Sequence, residues 1–357
     1  MEGYRCHKYG LMTKLHRFDS SAALRSPRSR HGALSSSDSR LPLPQRTSRA
    51  MLTFAASAKQ ALRRYLMKSF PIGYEILFTP GNLDEPLSAV IAGHRRLARL
   101  LAQPGLRALM TAHPQAVYRP YRRYLATSFT KSARRAALQH HYAYLLPRIS
   151  ETFFPAVLGS RPQLWQQRIG SDLFEVRLSF TGELHHEGDL LLEFQENGVP
   201  LYGLSFTIAP GYLAGSDADQ LILVARVQGA VGNFDAIRRA TKACMDIAPP
   251  YLLTAAVRGI AGALNIGVIA GIRNKEQLTG NIDADRNVYF DYDAFWRTCL
   301  GHETERFYLL SAPIREKPLA QISTVHRRRT RLKRQFKNEV AESSEALFRG
   351  LLVRVSD

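Results

Sequence analysis

Apolar positions along the chain change their period twice. Over residues 84–149 they recur at helical spacing, with Leu87, Ile91, His94, Leu97, Leu100 and Leu101 on one face and arginines opposite. Gly105 and Pro114 interrupt this run, and residues 131–146 predict a further helix carrying His140 and His141 on different faces. From Leu173 the period becomes two. Residues 173–180 (LFEVRLSF), 188–194 and 199–208 read as strands, and Asn197-Gly198 reads as a hairpin turn because that pair supplies positive φ angles. Residues 221–226 predict a fourth strand, so the middle of the chain is an antiparallel meander. Helical spacing then returns over 234–247 and 251–264, divided by Pro249-Pro250. Residues 267–272 and 306–310 predict two more strands. The stretch 252–272 is apolar enough to resemble a membrane span. Arg258 and its glycines divide it better into a helix and a strand.

These elements predict an α+β protein in four parts. Residues 1–50 are an extension in which 20–50 is rich in Ser, Arg and Pro; it is expected to be disordered because it cannot bury enough apolar area. The character changes at Met51, where a basic amphipathic helix begins and where translation is expected to start. Residues 51–150 form a helical part, 151–325 an α+β core with a mixed, largely antiparallel sheet, and 326–357 a basic C-terminal helix. The 357 residues are 45% hydrophobic and 10% aromatic, as in a folded globular chain. Lys and Arg number 49 against 30 Asp and Glu, a net charge of +19. Such a surface attracts phosphorylated ligands, anionic lipid or nucleic acid. Cys6, Cys244 and Cys299 show no paired spacing, which argues against a disulfide framework or a zinc site and for a cytoplasmic setting.

Candidate chemistry concentrates in four places. The strand ending at Arg226 runs into Val227-Gln228-Gly229-Ala230-Val231-Gly232, and Asn233 stands where a helix N-cap is expected. A strand, a glycine turn and a helix N-terminus make a seat for an anion. Tight packing alone also explains glycines at such a turn. In Gly-Glu183-Leu-His185-His186-Glu187-Gly-Asp189, Glu183 or Glu187 is a candidate general base; a metal site is conceivable, but a polar hairpin loop is the preferred account. In Asp291-Tyr292-Asp293-Ala294-Phe295-Trp296, Asp291, Asp293 and Trp296 are candidates for binding a substrate, against the plainer reading of a capped helix with a packed aromatic face. Finally, residues 326–337 (HRRRTRLKRQFK) hold seven basic residues in twelve. A solvated helix ranks first there, an anionic membrane surface second and nucleic acid third.

The order of elements is similar to the GNAT-like acyl-CoA N-acyltransferase fold. In that fold a turn of the form Arg/Gln-x-x-Gly-x-Gly/Ala holds the coenzyme A pyrophosphate on backbone N–H groups. Here Arg226, Gln228, Gly229, Gly232 and Asn233 take that place. Val231 stands where a small residue is usual, and two helices instead of one precede the next strand. No tightly bound cofactor and no metal is expected; the likeness implies an acyl-CoA or acyl-carrier-protein donor, Glu183 or Glu187 as base, and Tyr292 or Tyr308 as acid for the leaving thiolate. A second resemblance covers roughly residues 87–352. It rests on Arg134, His141-Tyr142, the meander, Val227-Gln228-Gly229, Thr241-Lys242, Pro250, residues 291–296 with Gly301, and Phe307-Tyr308-Leu309 before the basic run. These motifs, in this order, resemble the VirK/YbjX family of bacterial proteins. That resemblance implies links to envelope stress, virulence and resistance to cationic peptides, and no defined catalytic residues. The expected setting is cytoplasmic, peripheral to the inner membrane. The rival to an acyltransferase is a non-catalytic, membrane-peripheral factor.

Overall fold

The period-two segments pair in chain order into one mixed sheet. The strands are β1 (Gln163–Ile169), β2 (Asp172–Phe180), β3 (Leu190–Glu196), β4 (Val199–Pro210), β5 (Gln220–Gly229), β6 (Val268–Ile272), β7 (His302–Glu303) and β8 (Phe307–Ser311). They lie in the order β1-β2-β3-β4-β5-β6-β8-β7, and β5 with β6 is the parallel pair. The computed structural model describes residues 87–182, 186–278 and 290–353. The expected extension 1–50, the helix expected from Met51, and the candidates Glu183 and His185 lie outside them.

The helices are α1 (Leu87–Leu101), α2 (Arg107–Ala112), α3 (Lys131–Leu145), α4 (Phe153–Leu158), α5 (Phe234–Ala243), α6 (Pro249–Ala263), α7 (Tyr292–Thr298) and α8 (Thr324–Arg349). Thr130 caps α3, its side chain accepting from the Ala133 N–H at 3.1 Å. Prolines at the first positions of α6 suit a helix start, where no N–H is needed. The α+β class, the Asn197-Gly198 turn (φ 52° and 79°) and the division of 252–272 into α6 and β6 all agree with the sequence reading. Among the described residues no helix is long and apolar enough to cross a membrane.

Both α3 and α6 pack on β4. Its residues 204–210 are buried one after another, where a half-solvated strand would alternate. On α8, Phe336, Val340, Ala341, Ser344 and Phe348 are buried, and the Phe336 ring meets Trp165 of β1 edge-on at 5.8 Å. A Cβ on Gly259 of α6 would collide with the Ala341 carbonyl, so the two helices approach backbone to backbone. The C-terminal helix is therefore part of the core along its second half. The basic run 326–337, for which a solvated helix was expected, is exposed or half-buried except at Phe336. β1, β7 and α4 were not anticipated: Gln163–Ile169 reads QLWQQRI, too polar to show a strand pattern, and the other two span two and six residues.

The hairpin between β2 and β3 ends in a buried hub. Asp189 is fully buried. Its Oδ1 accepts from Arg119 Nη1 at 2.9 Å and Tyr142 Oη at 3.1 Å; its Oδ2 accepts from Thr207 Oγ1 at 2.9 Å and from Tyr124 Oη. Arg119 also donates to the carbonyls of Gly182 and Gly188. Burial pushes the Asp189 carboxyl up, but Arg119 and the hydroxyl donors outweigh it and hold it below the usual carboxylate range. Gly188 sits at φ 140°, with Phe206 backbone atoms 2.9–3.2 Å from where a Cβ would stand, so only glycine fits between Glu187 and Asp189. Glu187 and Asp189 lie in the connection between two strands that the preferred reading expected, and within it they are buried, 2% and 0% exposed.

Candidate functional site

The parallel pairing of β5 with β6 is short. Ile222, Leu223 and Val224 face Ile269, Ala270 and Gly271, and no further β5 residue joins the register. Across the other edge, Ser205 pairs with Arg226 but Phe206 pairs with Val224, so Ala225 is an extra residue, a β-bulge. Beyond the bulge β5 continues to Gly229, and among the described residues its β6-side edge pairs with no strand there. Crevices beyond the carboxyl ends of adjacent parallel strands are common ligand sites.

Four of the candidate residues meet at this edge. Glu187 Oε2 lies 3.2 Å from Arg226 Nε, which also donates to Gln228 Oε1 at 2.8 Å. Glu187 Oε1 accepts from Gln277 Nε2 at 2.8 Å, and the Glu187 carbonyl accepts from Ser205 Oγ at 2.6 Å. Gln277 Nε2 is also 3.3 Å from Tyr292 Oη. The Tyr292 hydroxyl accepts from the Val227 N–H at 3.1 Å and donates to the Val227 carbonyl at 3.3 Å. A phenol therefore occupies the backbone groups that a sixth strand would have bonded. Burial pushes Tyr292 up to about 12, and the Glu187 carboxylate adds to the rise, so it stays protonated at neutral pH.

The residues next to Tyr292 are engaged otherwise. Asp291 caps α7, accepting from the Ala294 N–H at 3.0 Å, and receives Asn274 Nδ2 at 2.9 Å. The Asp293 carboxylate accepts the Asn274 N–H at 3.1 Å and lies 3.6 Å from Arg273. Trp296 is buried and donates from Nε1 to the Ile272 carbonyl at 3.0 Å, filling the space that Gly271 leaves open. These three residues make the contacts of a capped helix docked on β6. Tyr308 donates to Glu303 at 2.7 Å, outside the cluster.

The glycine turn lies at the end of the same edge. Asn233 occupies the N-cap position of α5, but its side chain does not cap; the amide reaches the Pro200 carbonyl at 3.5 Å. The first N–H groups of α5 thus have no side-chain cap. Gly232 takes φ 83° in open space. Gly229 has a packing reason: a Cβ there would stand 2.9 Å from the Tyr202 ring and 3.1 Å from Ile237.

Sequence reasoning missed Gln277 and the hub around Asp189. A glutamine after a short strand carries no motif, and three separate segments converge on the hub, one carrying Arg119 and Tyr124, the others Tyr142 and Thr207. His141 and His140 do divide as their adjacent positions predict. His141 is fully buried and accepts from the Ile208 N–H at 3.1 Å, whereas half-buried His140 stacks on Tyr144. Among the described residues no group of three His, Cys, Asp or Glu could hold a metal ion.

No solved structure matches this chain. The "Uncharacterized protein YbjX" of Escherichia coli (strain K12) is 27% identical over 257 residues, 69% of this chain and 76% of that protein. A protein of Mannheimia haemolytica named "Membrane protein LapB" is 26% identical over 183 residues, 49% of this chain and 73% of that protein. The family model described as "Protein of unknown function (DUF535)" matches residues 91–346, from within α1 almost to the end of α8. The chain belongs to that family, the VirK/YbjX proteins that its motifs resemble in order.

Proposed function

We propose that the protein is an acyltransferase with a GNAT-like core that takes its acyl group from a thioester donor laid along the open edge of β5. One observation carries this reading: β5 bulges at Ala225, leaves β6, and runs to an uncapped helix N-terminus with the Glu187 carboxylate held beside it by Arg226 and Gln277. In this reading the backbone of residues 229–233 holds the donor's phosphates. The acceptor's nucleophile attacks the thioester carbonyl, the C–S bond breaks, and the nucleophile's proton passes to Glu187. Tyr292 must release the Val227 backbone for the donor to lie there.

The test is a thermal-shift titration of the full chain with acetyl-CoA, long-chain acyl-CoA and an acyl-carrier-protein donor. Saturation at ~100 times Kd stabilises by about 2.7 kcal/mol. Val231→Asp is the informative variant. Val231 is exposed, and an added carboxylate repels an anion at the turn without disturbing packing. Substituting Gly229 would confound binding with the Tyr202 clash. A shift that Val231→Asp abolishes supports the reading; no shift with any donor overturns it.

The rival reading is a non-catalytic, membrane-peripheral factor, with small molecules or lipid as its ligands. The specific support is the Tyr292 hydroxyl, which saturates the β5 backbone that a donor would need. Exposed Arg328 and Arg331 on α8 would then meet an anionic surface.

A further inference from the structure

α6 and α8 run side by side, in contact at Gly259 and Ala341, but towards their N-terminal ends they leave a cavity of about 450 Å³. It shares no residue with the β5 site. One face of each helix lines it at helical spacing: Tyr251, Thr254, Ala255 and Arg258 from α6, and Thr330, Lys333, Arg334 and Lys337 from α8. The end of α7 and residues 314–317 close the remaining sides. The floor is apolar, formed by Ile247, Tyr251, Ala255, Cys299 and Ile314.

The rim is strongly cationic. Arg258, Arg315, Lys317, Lys333, Arg334 and Lys337 share the lining with two carboxylates, Asp246 and Glu316, and Glu342 also acts on Arg258. Glu316 is engaged by Arg334 at 2.8 Å and Lys337 at 3.1 Å, and Asp246 by Arg329 at 2.5 Å. Among the described residues Arg315 and Lys317 form no ion pair, and Lys333 donates to a neutral carbonyl, that of Asp246, at 2.8 Å. Burial pushes the Lys333 ammonium down, and neighbouring Arg329 and Lys337 add to that. A bound anion would relieve this repulsion.

We infer that this cavity binds a phosphorylated amphiphile, its phosphate among Arg315, Lys317 and Lys333 and its apolar body against Ile247, Tyr251 and Ala255. Surplus cations call for an anionic head, and the apolar floor calls for more than an inorganic ion. A flat bilayer does not reach the half-buried Arg258, Lys333 and Arg334 that line the cavity, whereas Arg328 and Arg331 are exposed.

The experiment is calorimetric titration of the full chain with a lysophosphatidic acid below its micelle concentration. Inorganic phosphate, the monoacylglycerol of the same chain, and phosphatidylglycerol vesicles serve as comparisons. Arg315→Glu with Lys317→Glu removes the head's partners at two exposed positions. Ala255→Phe fills the floor. Saturable lysophosphatidate binding is expected, weakened about tenfold or more by each change. Equal affinity for inorganic phosphate or monoacylglycerol, binding to vesicles alone, or no effect of the double charge reversal overturns the inference. Should Ala255→Phe fail to fold, the double variant with the monoacylglycerol comparison decides.

Discussion

Asp189 is held by four donors that no sequence motif connects, and its neighbour His141 shows what such a site does to a titrating group. Burial is the main cause that drives the His141 pKa from 6.5 down to about 4, with Arg119 and His140 adding to it and Asp189 opposing. The unfolded chain takes a proton on this residue as pH falls through 6.5, and the folded chain resists until about 4. Stability is therefore lost as pH drops across that window. Between pH 7 and pH 5 the loss from His141 is about 2 kcal/mol. His141→Gln keeps an acceptor for the Ile208 N–H but cannot titrate. Urea denaturation at the two pH values should show a smaller drop for the variant; an unchanged drop would remove His141 from the account. Asp189 acts in a more acidic window: its folded pKa is depressed, so its contribution is lost as pH falls from the ordinary carboxylate pKa down through the depressed one.

At the scale of elements, α8 carries two unrelated faces. Phe336, Val340 and Phe348 bury one stripe against the core, while the basic run occupies the first turns. Arg327 donates to the Ile322 and Ala320 carbonyls and Arg329 to Asp246, which leaves Arg328 and Arg331 pointing to solvent. If this face meets a membrane, each charge adds about 1 kcal/mol near an anionic surface. Arg328→Gln with Arg331→Gln should then weaken co-sedimentation with phosphatidylglycerol vesicles, and raised salt should weaken it for the parent chain too. Duplex DNA at equal salt is the control. Tighter binding to DNA than to vesicles would reverse the ranking of the two partners. The helix itself was legible from composition and periodicity. Its docking on α6 was not, because Gly259 shows its purpose only beside Ala341.

At the scale of the molecule, one continuous core runs from α1 through the sheet to α8. The family match spans the same region, residues 91–346. Residues 1–50 carry no periodic apolar pattern, so their removal should leave the urea midpoint within error of the parent chain. A shift of more than about 1 kcal/mol would make that segment part of the fold.

Local chemistry sufficed for the meander, the Asn197-Gly198 turn, the split between α6 and β6, and the motifs that mark the family, because period, turn residues and helix starts are properties of neighbouring residues. The same reasoning brought Glu187, Arg226, Gln228 and Tyr292 forward, and they do converge. What they do there depended on the tertiary structure. Gln277 completes the cluster from a loop with no motif. Tyr292 turns out to bind the β5 backbone, and Gly229 to make room for Tyr202. The Asp189 hub and the cavity between α6 and α8 are assembled from residues distant in the chain. Burial, charge pairing and close backbone approach are decided by which surfaces meet, and that information is not carried by any single stretch of sequence.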